Sequence, residues 1–118
     1  MKKKVMIADD DTDILEAMQM ILEDAGYEVM AIEDGKTVQD MQGELPDLLL
    51  LDIWMSGING TDVCQHLKSQ NRTKHIPIIL CSANKDTQQM AIGCGAEDFL
   101  AKPFEMMDLL SKVEKYTS

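Results

Sequence analysis

Basic residues are scarce in this chain: 11 lysines and arginines stand against 21 aspartates and glutamates, a formal net charge of −10 over 118 residues. Nonspecific affinity for a nucleic-acid backbone rests on lysine and arginine, so direct nucleic-acid binding by this chain is not expected. Most of that acidity survives when the three aspartates singled out below are set aside, which points to a partner with a basic or apolar face. Cysteine is sparse as well. Cys64, Cys81 and Cys94 are an odd count without CxxC spacing, which argues against a zinc site and against a disulfide framework. Cys81 falls in a strand-like run and Cys64 on an apolar helix face, where cysteine serves as a small hydrophobe. Long apolar runs are missing too: none approaches the eighteen or so residues that span a bilayer. The start, Met1-Lys2-Lys3-Lys4, runs straight into a strand without a signal-peptide core, so no membrane association and a cytoplasmic location are expected. No segment is repeated or of low complexity, and the 45% of hydrophobic residues suffices for one core, so residues 1–118 read as one domain.

What the chain does have is acid at the ends of apolar runs. Leu48-Leu49-Leu50-Leu51 ends in Asp52, and Val5-Met6-Ile7-Ala8 ends in Asp9-Asp10. Short continuous apolar runs are the mark of parallel strands buried on both faces, and open α/β sheets keep their chemistry just beyond the carboxyl ends of such strands. If these two strands are neighbours, three carboxylates share one crevice, where each raises the others' pKa and a hard divalent cation relieves the repulsion. Magnesium is the predicted ion. Two further runs end in complementary groups: Ile78-Ile79-Leu80-Cys81 leads into Ser82, and Phe99-Leu100-Ala101 into Lys102-Pro103. Three acids, a hydroxyl and a lysine suit a metal together with a phosphoryl group.

Five strand-like runs alternate with four or five helical patterns, as in βαβ units. Ile14, Met18, Ile21, Leu22 and Ala25 form a helical stripe that Gly26 stops. Tyr27–Ile32 reads as the second strand, and Thr37–Met41 as a short helix before Pro46. Ile53–Gly60 reads as a glycine-bearing loop, followed by a helix carrying Val63, Cys64 and Leu67. After the strand introduced by Pro77 comes a helix over about Thr87–Ile92, a turn at Gly93-Cys94-Gly95, the fifth strand, and a last helix with Leu109, Leu110, Val113 and Tyr116. Right-handed crossovers would bury both faces of a five-stranded parallel sheet.

The ordered set Asp9-Asp10, Asp52, Ser82 and Lys102-Pro103-Phe104, with Gly60 and Ala83 between, resembles the receiver domain of two-component response regulators over essentially the whole chain. The resemblance implies a single doubly wound flavodoxin-like (βα)5 domain, strand order 2-1-3-4-5, with its switch point between the first and third strands. It implies that Asp52 is the phosphoacceptor, attacking the phosphoryl group of a histidine kinase, a histidine phosphotransfer protein or a small phosphodonor. Asp9, Asp10, Asp52 and the backbone carbonyl of Trp54 would hold Mg2+, with Mn2+ as its substitute. Lys102 would ion-pair with the phosphoryl group, and Ser82 beside Ala83 would hydrogen-bond it. Phe99 would be the switch aromatic, and the bond before Pro103 would be cis. Output would pass to a downstream protein or to a covalently linked effector domain, and the unphosphorylated chain would be a monomer. The only catalysis implied is of its own phosphorylation and dephosphorylation.

Three positions depart from the family's habit. Phe99 lacks the hydroxyl of the tyrosine common there, so its coupling is expected to rest on packing alone. Ser56 replaces a common proline, and Trp54 brings an indole two residues past the acceptor, either bordering the phosphoryl site or covering a neighbouring helix. Trp54 and Asn84 are candidate modulators of phosphoryl lifetime. His66 and His75 lack ligand spacing and receive no role. Met18, Met41 and Met90 read as core. A haloacid-dehalogenase-type phosphatase would need a second acid where Trp54 stands, and a flavin-binding protein would set Asp9-Asp10-Asp11 against its phosphate. The remaining alternative is a receiver-like interaction module that works without phosphorylation.

Overall fold

In the computed structural model, which describes residues 2–55, 57–83, 85 and 87–118, the four leucines before Asp52 lie at the centre of the molecule. They form β3 (Leu48–Asp52). It is flanked by β1 (Lys4–Ala8) and β6 (Ile78–Ser82), with β2 (Glu28–Ile32) and β7 (Asp98–Ala101) at the edges. The sheet order is β2-β1-β3-β6-β7 with all pairs parallel, so the five sheet strands run 2-1-3-4-5 in chain order as expected. Period-two alternation sends Leu49, Leu51, Met6, Ala8, Ile78 and Leu80 to one face and Leu48, Leu50, Val5, Ile7, Ile79 and Cys81 to the other.

Helices cover both faces. α1 (Thr12–Asp24) and α5 (Met106–Thr117) press Leu15, Met18, Leu22, Leu109 and Val113 onto the second face. α2 (Gly35–Gln39), α3 (Gly60–Lys68) and α4 (Thr87–Cys94) cover the first with Val38, Val63, Cys64, Leu67, Ala91 and Cys94. Each fully buried leucine of β3 contributes roughly 1.5–3 kcal/mol from removal of apolar surface, so the strand that carries Asp52 is among the most firmly anchored. Met18 is buried, and Met41 and Met90 pack half-buried against the core, as expected.

Several boundaries move for local reasons. α2 begins at Gly35, ahead of the expected Thr37, because the Asp34 carboxylate caps it by accepting from the Lys36 amide at 2.9 Å. Leu15, absent from the expected stripe of α1, is buried, whereas Ile14 and Ile21 are only half-buried. α4 runs through Gly93 and Cys94, so Gly95 alone, at φ +86°, makes the turn into β7. The expected loop after β3 contains a small antiparallel hairpin, β4 (Trp54–Met55) with β5 (Ile58–Asn59), in which Gly57 takes a φ of +80°. Two residue pairs carry too little alternation to announce strands. Ser56 and Asn84 lie outside the described residues.

Candidate functional site

Register places the acids. Ala8 pairs with Leu51, so Asp9 and Asp52 leave adjacent strands at the same end of the sheet. Carboxylate oxygens of Asp9, Asp10 and Asp52 all lie within 4.8 Å of one another. Asp9 and Asp52 are 3% and 6% exposed, whereas Asp10 faces solvent. Asp11, next in line, acts on the helix instead, where its carboxylate caps α1 by accepting from the amides of Asp13 at 3.0 Å and Ile14 at 3.3 Å. Its own amide donates to Asp9 Oδ1 at 2.9 Å, which orients that carboxylate.

Lys102 follows β7 and reaches across β6. Its backbone amide donates to the Ser82 carbonyl at 2.9 Å, and Ser82 pairs in register with Ala101. Its ammonium lies 2.6 Å from Asp9 Oδ2 and 3.3 Å from Asp52 Oδ1, with the lysine side chain itself mostly buried. The Lys102-Pro103 bond is cis, as the resemblance implies. Ser82 is buried at the end of β6, and Ala83 beside it is exposed.

These contacts set the electrostatics. Burial pushes the Asp52 carboxyl above the usual carboxylate value, the charges of Asp9 and Asp10 add to the rise, and Lys102 offsets it only in part. Burial alone would lower Lys102, but its hydrogen bond to Asp9 and the two carboxylate charges outweigh that and hold the ammonium more firmly protonated. Lys102 gives its shorter bond to Asp9 and the longer one to Asp52. The cluster is therefore two buried carboxylates and one exposed one around the Lys102 ammonium. Three oxygens at that spacing are the hard donor set that a small divalent cation takes.

In the sequence Gly60 is only an element of the motif, and the structure gives it a physical reason. Its amide donates to the Ile53 carbonyl at 2.7 Å. A Cβ there would run into the carbonyl oxygen of Asp52 and stand 2.8 Å from Ile53 Cα. The start of α3 thus packs directly on the backbone of the central acid, with Asn59 capping the helix through the Thr61 amide at 2.8 Å. The Asn59-Gly60 pair ahead of an apolar stripe is a cap signal that could have indicated this approach.

Trp54 sits on β4 and is 51% exposed. Phe99 is half-buried against the core, and more than packing holds it: the Lys112 ammonium lies 5.3 Å from its ring centroid. Asp98 positions that ammonium at 2.9 Å and also accepts from the Tyr116 hydroxyl at 2.9 Å and the Phe99 amide at 2.8 Å. Burial alone would raise the Asp98 carboxyl, and these donors hold it below the ordinary value. Nothing local in the sequence signals this group, because α5 meets β7 only through the tertiary fold. His66 bonds to Gln70 near the end of α3 and His75 is exposed, both away from the carboxylates.

Comparison with known proteins agrees with this geometry. The family model for the response regulator receiver domain matches residues 5–114. The DNA-binding response regulator MtrA of Mycobacterium tuberculosis is 34% identical over 116 residues, covering 96% of this chain and 50% of its own length. The chain thus spans about half the length of the curated relatives it matches. Among solved structures, the chemotaxis response regulator CheY4 of Vibrio cholerae superposes with a TM-score of 0.90 at 27% identity, covering 98% of this chain and 99% of that one. The signal receiver domain of a signal transduction histidine kinase from Syntrophus aciditrophicus gives a TM-score of 0.88 at 29% identity, with 98% and 89% covered.

Proposed function

From the premise that this chain belongs to the response regulator receiver domain family, we propose that Asp52 is its phosphoacceptor and that the groups around it bind and transfer one phosphoryl group. The observation that carries the reading is the shared ammonium: Lys102 bridges Asp9 and Asp52 at the end of the central strands. Asp52 supplies the nucleophilic oxygen, and burial, which raises its carboxyl above the ordinary value, makes that oxygen more basic than an ordinary carboxylate's. Lys102 supplies positive charge to the incoming phosphoryl oxygens, and Ser82 a hydroxyl donor beside them. Asp9 and Asp10, with Asp52 and the Trp54 carbonyl, would hold magnesium or manganese, which when bound neutralises charge on the phosphoryl oxygens. Ala83 and Phe99 complete the switch set, and Trp54 limits attack by water on the aspartyl phosphate. Asn84, the other lifetime residue, lies outside the described residues.

The donor is a phosphohistidine of a histidine kinase or phosphotransfer protein. Supporting this, an apolar groove of about 430 Å3, lined by Ile14, Ala17, Met18, Ile21 and Phe104, runs from α1 to Lys102 and would seat a partner's apolar helix face beside the site. Output passes to a separate protein or to a linked effector. MtrA, twice this length, is a DNA-binding response regulator, and the Syntrophus receiver belongs to a histidine kinase. No helix among the described residues is long and apolar enough to cross a membrane.

Acetyl phosphate with and without magnesium, read by intact mass against Asp52→Asn, tests the assignment. A magnesium-dependent phosphoryl adduct that the variant lacks supports it. An unmodified wild type, both with acetyl phosphate and with a panel of phosphorylated kinases, replaces it with the interaction-module reading.

A further inference from the structure

Two of the three thiols meet although 30 residues separate them. Cys64, one turn into α3, donates a hydrogen bond to the Cys94 carbonyl at 3.4 Å, which brings its sulfur against the end of α4. Cys94, the last residue of α4, places its Sγ 3.6 Å from the Ala91 carbonyl. Both belong to the core on the α2–α4 side of the sheet. Cys81 lies on the opposite face, among Val5, Ile7 and Leu100, where the sheet itself separates it from the pair.

We propose that Cys64 and Cys94 form a reversible disulfide that ties α3 to α4 when the protein meets a peroxide. The positions divide the work. Cys64 is 0% exposed and Cys94 5%, so the oxidant arrives at Cys94. Its neighbours Gly93 and Gly95 carry no side chain to screen it, and the space beside Gly93 is open for 4 Å. The neighbouring Cys64 thiol lowers the Cys94 thiol to about 7, which favours its thiolate, while Cys94 and burial push the Cys64 thiol far up.

The chemistry balances as two thiols and one peroxide giving a disulfide and two waters. The Cys94 thiolate attacks a peroxide oxygen, the S–O bond forms as the O–O bond breaks, and the departing hydroxide takes a proton as water. The Cys64 sulfur then attacks the Cys94 sulfenic sulfur, the S–S bond forms as the S–O bond breaks, and the second hydroxide leaves with the Cys64 proton. Two electrons pass from sulfur to oxygen. The linkage would fix α3, whose first residue packs on the Asp52 backbone, to the end of α4. It does not depend on phosphorylation of Asp52.

The test treats the native protein with hydrogen peroxide, alkylates the remaining thiols after denaturation, and maps the peptides. The expected result is a mass loss of about 2 Da before alkylation, one Cys64–Cys94 cross-linked peptide, alkylated Cys81, and full reversal by dithiothreitol. Cys94→Ser should abolish the cross-link. The wild-type peptide map decides the matter even if that variant folds poorly. Three free thiols after treatment, sulfinic or sulfonic acid without a cross-link, or a bridge that includes Cys81 would each overturn the proposal.

Discussion

Replacing Lys102 by methionine removes the ammonium that lies between two buried carboxylates while keeping most of the side chain's volume. Deleting one partner of a buried ion pair costs about 3–5 kcal/mol, because the remaining charge is left without compensation. Here the lower end applies, since Asp9 keeps its bond from the Asp11 amide at 2.9 Å and Asp10 opens one side of the cluster to solvent. A loss of about 3 kcal/mol is expected near neutral pH, or a fall in Tm of roughly 10–15 °C for a domain of this size. The deficit must also depend on pH. Asp52 already titrates above its ordinary value, and Lys102 is what opposes the rise, so the variant's Asp52 titrates higher still. A carboxyl whose folded pKa exceeds its unfolded pKa favours the fold below the unfolded value, and that contribution is lost as pH rises through the folded pKa. The deficit is therefore largest near neutrality and shrinks as Asp52 protonates on the acid side. Wild-type Lys102, raised above 10.5, contributes across the neutral range and loses its contribution only as pH climbs through that raised value. Urea unfolding of both proteins at about pH 7 and about pH 5, with m-values compared to verify a common unfolded state, measures the difference. Magnesium should stabilise the variant more than the wild type, because it replaces the missing positive charge. A deficit under about 1 kcal/mol, or one equal at both pH values, would refute the claim that Lys102 neutralises buried acids.

Gly60→Ala sets a methyl group against the Asp52 carbonyl and Ile53 Cα, an overpacking cost of about 1–3 kcal/mol visible as a lower urea midpoint. The same variant should slow phosphorylation by acetyl phosphate; normal stability and rate would show that α3 shifts freely. Asp98→Asn flattens the acid limb of stability: a depressed carboxyl contributes stability above its unfolded pKa that is lost as pH falls through the folded one. An unchanged acid-unfolding midpoint would contradict the group of donors described around Asp98. Trp54→Ala, at a half-exposed ring, should leave stability within about 0.5 kcal/mol while shortening the aspartyl-phosphate lifetime, and an unchanged dephosphorylation rate sinks its role as a water shield.

The strands are legible in the sequence because burial on both faces leaves a signature that does not need the fold to be known. Val5–Ala8, Leu48–Leu51 and Ile78–Cys81 are continuous apolar runs, and no amphipathic helix reads that way. Asp9 and Asp52 are legible for the same reason, since a carboxylate directly after such a run falls at the carboxyl end of the sheet. What escapes depends on contacts that only the tertiary fold makes. Lys112 over Phe99 and Cys64 against Cys94 join residues from different elements, with no local pattern to announce them. The hairpin after Asp52 escapes because β4 and β5 are two residues each, shorter than any period can reveal.

That difference bears on how the site would respond to its chemistry. Asp9 and Asp52 are fixed by strands whose side chains are buried on both faces, so neither carboxylate can retreat when a phosphoryl group adds about one further negative charge at Asp52. The Lys102 ammonium already serves two acids, and its shorter bond is to Asp9. Phosphorylation at the proposed acceptor Asp52 would make that side the more negative of the two, so the balance of attraction on the ammonium would move toward the phosphoryl oxygens and away from Asp9. Asp9 would then be the acid with least compensation, so phosphorylation is expected to tighten binding of a divalent cation by the carboxylate cluster. The backbone of Lys102 is bonded to Ser82 and continues into Phe104 and α5, so the residue that would change partners is attached to β6 on one side and to α5 on the other. The expected consequence of phosphorylating Asp52 is therefore movement at the ends of β6 and β7 while β1 and β3 stay still.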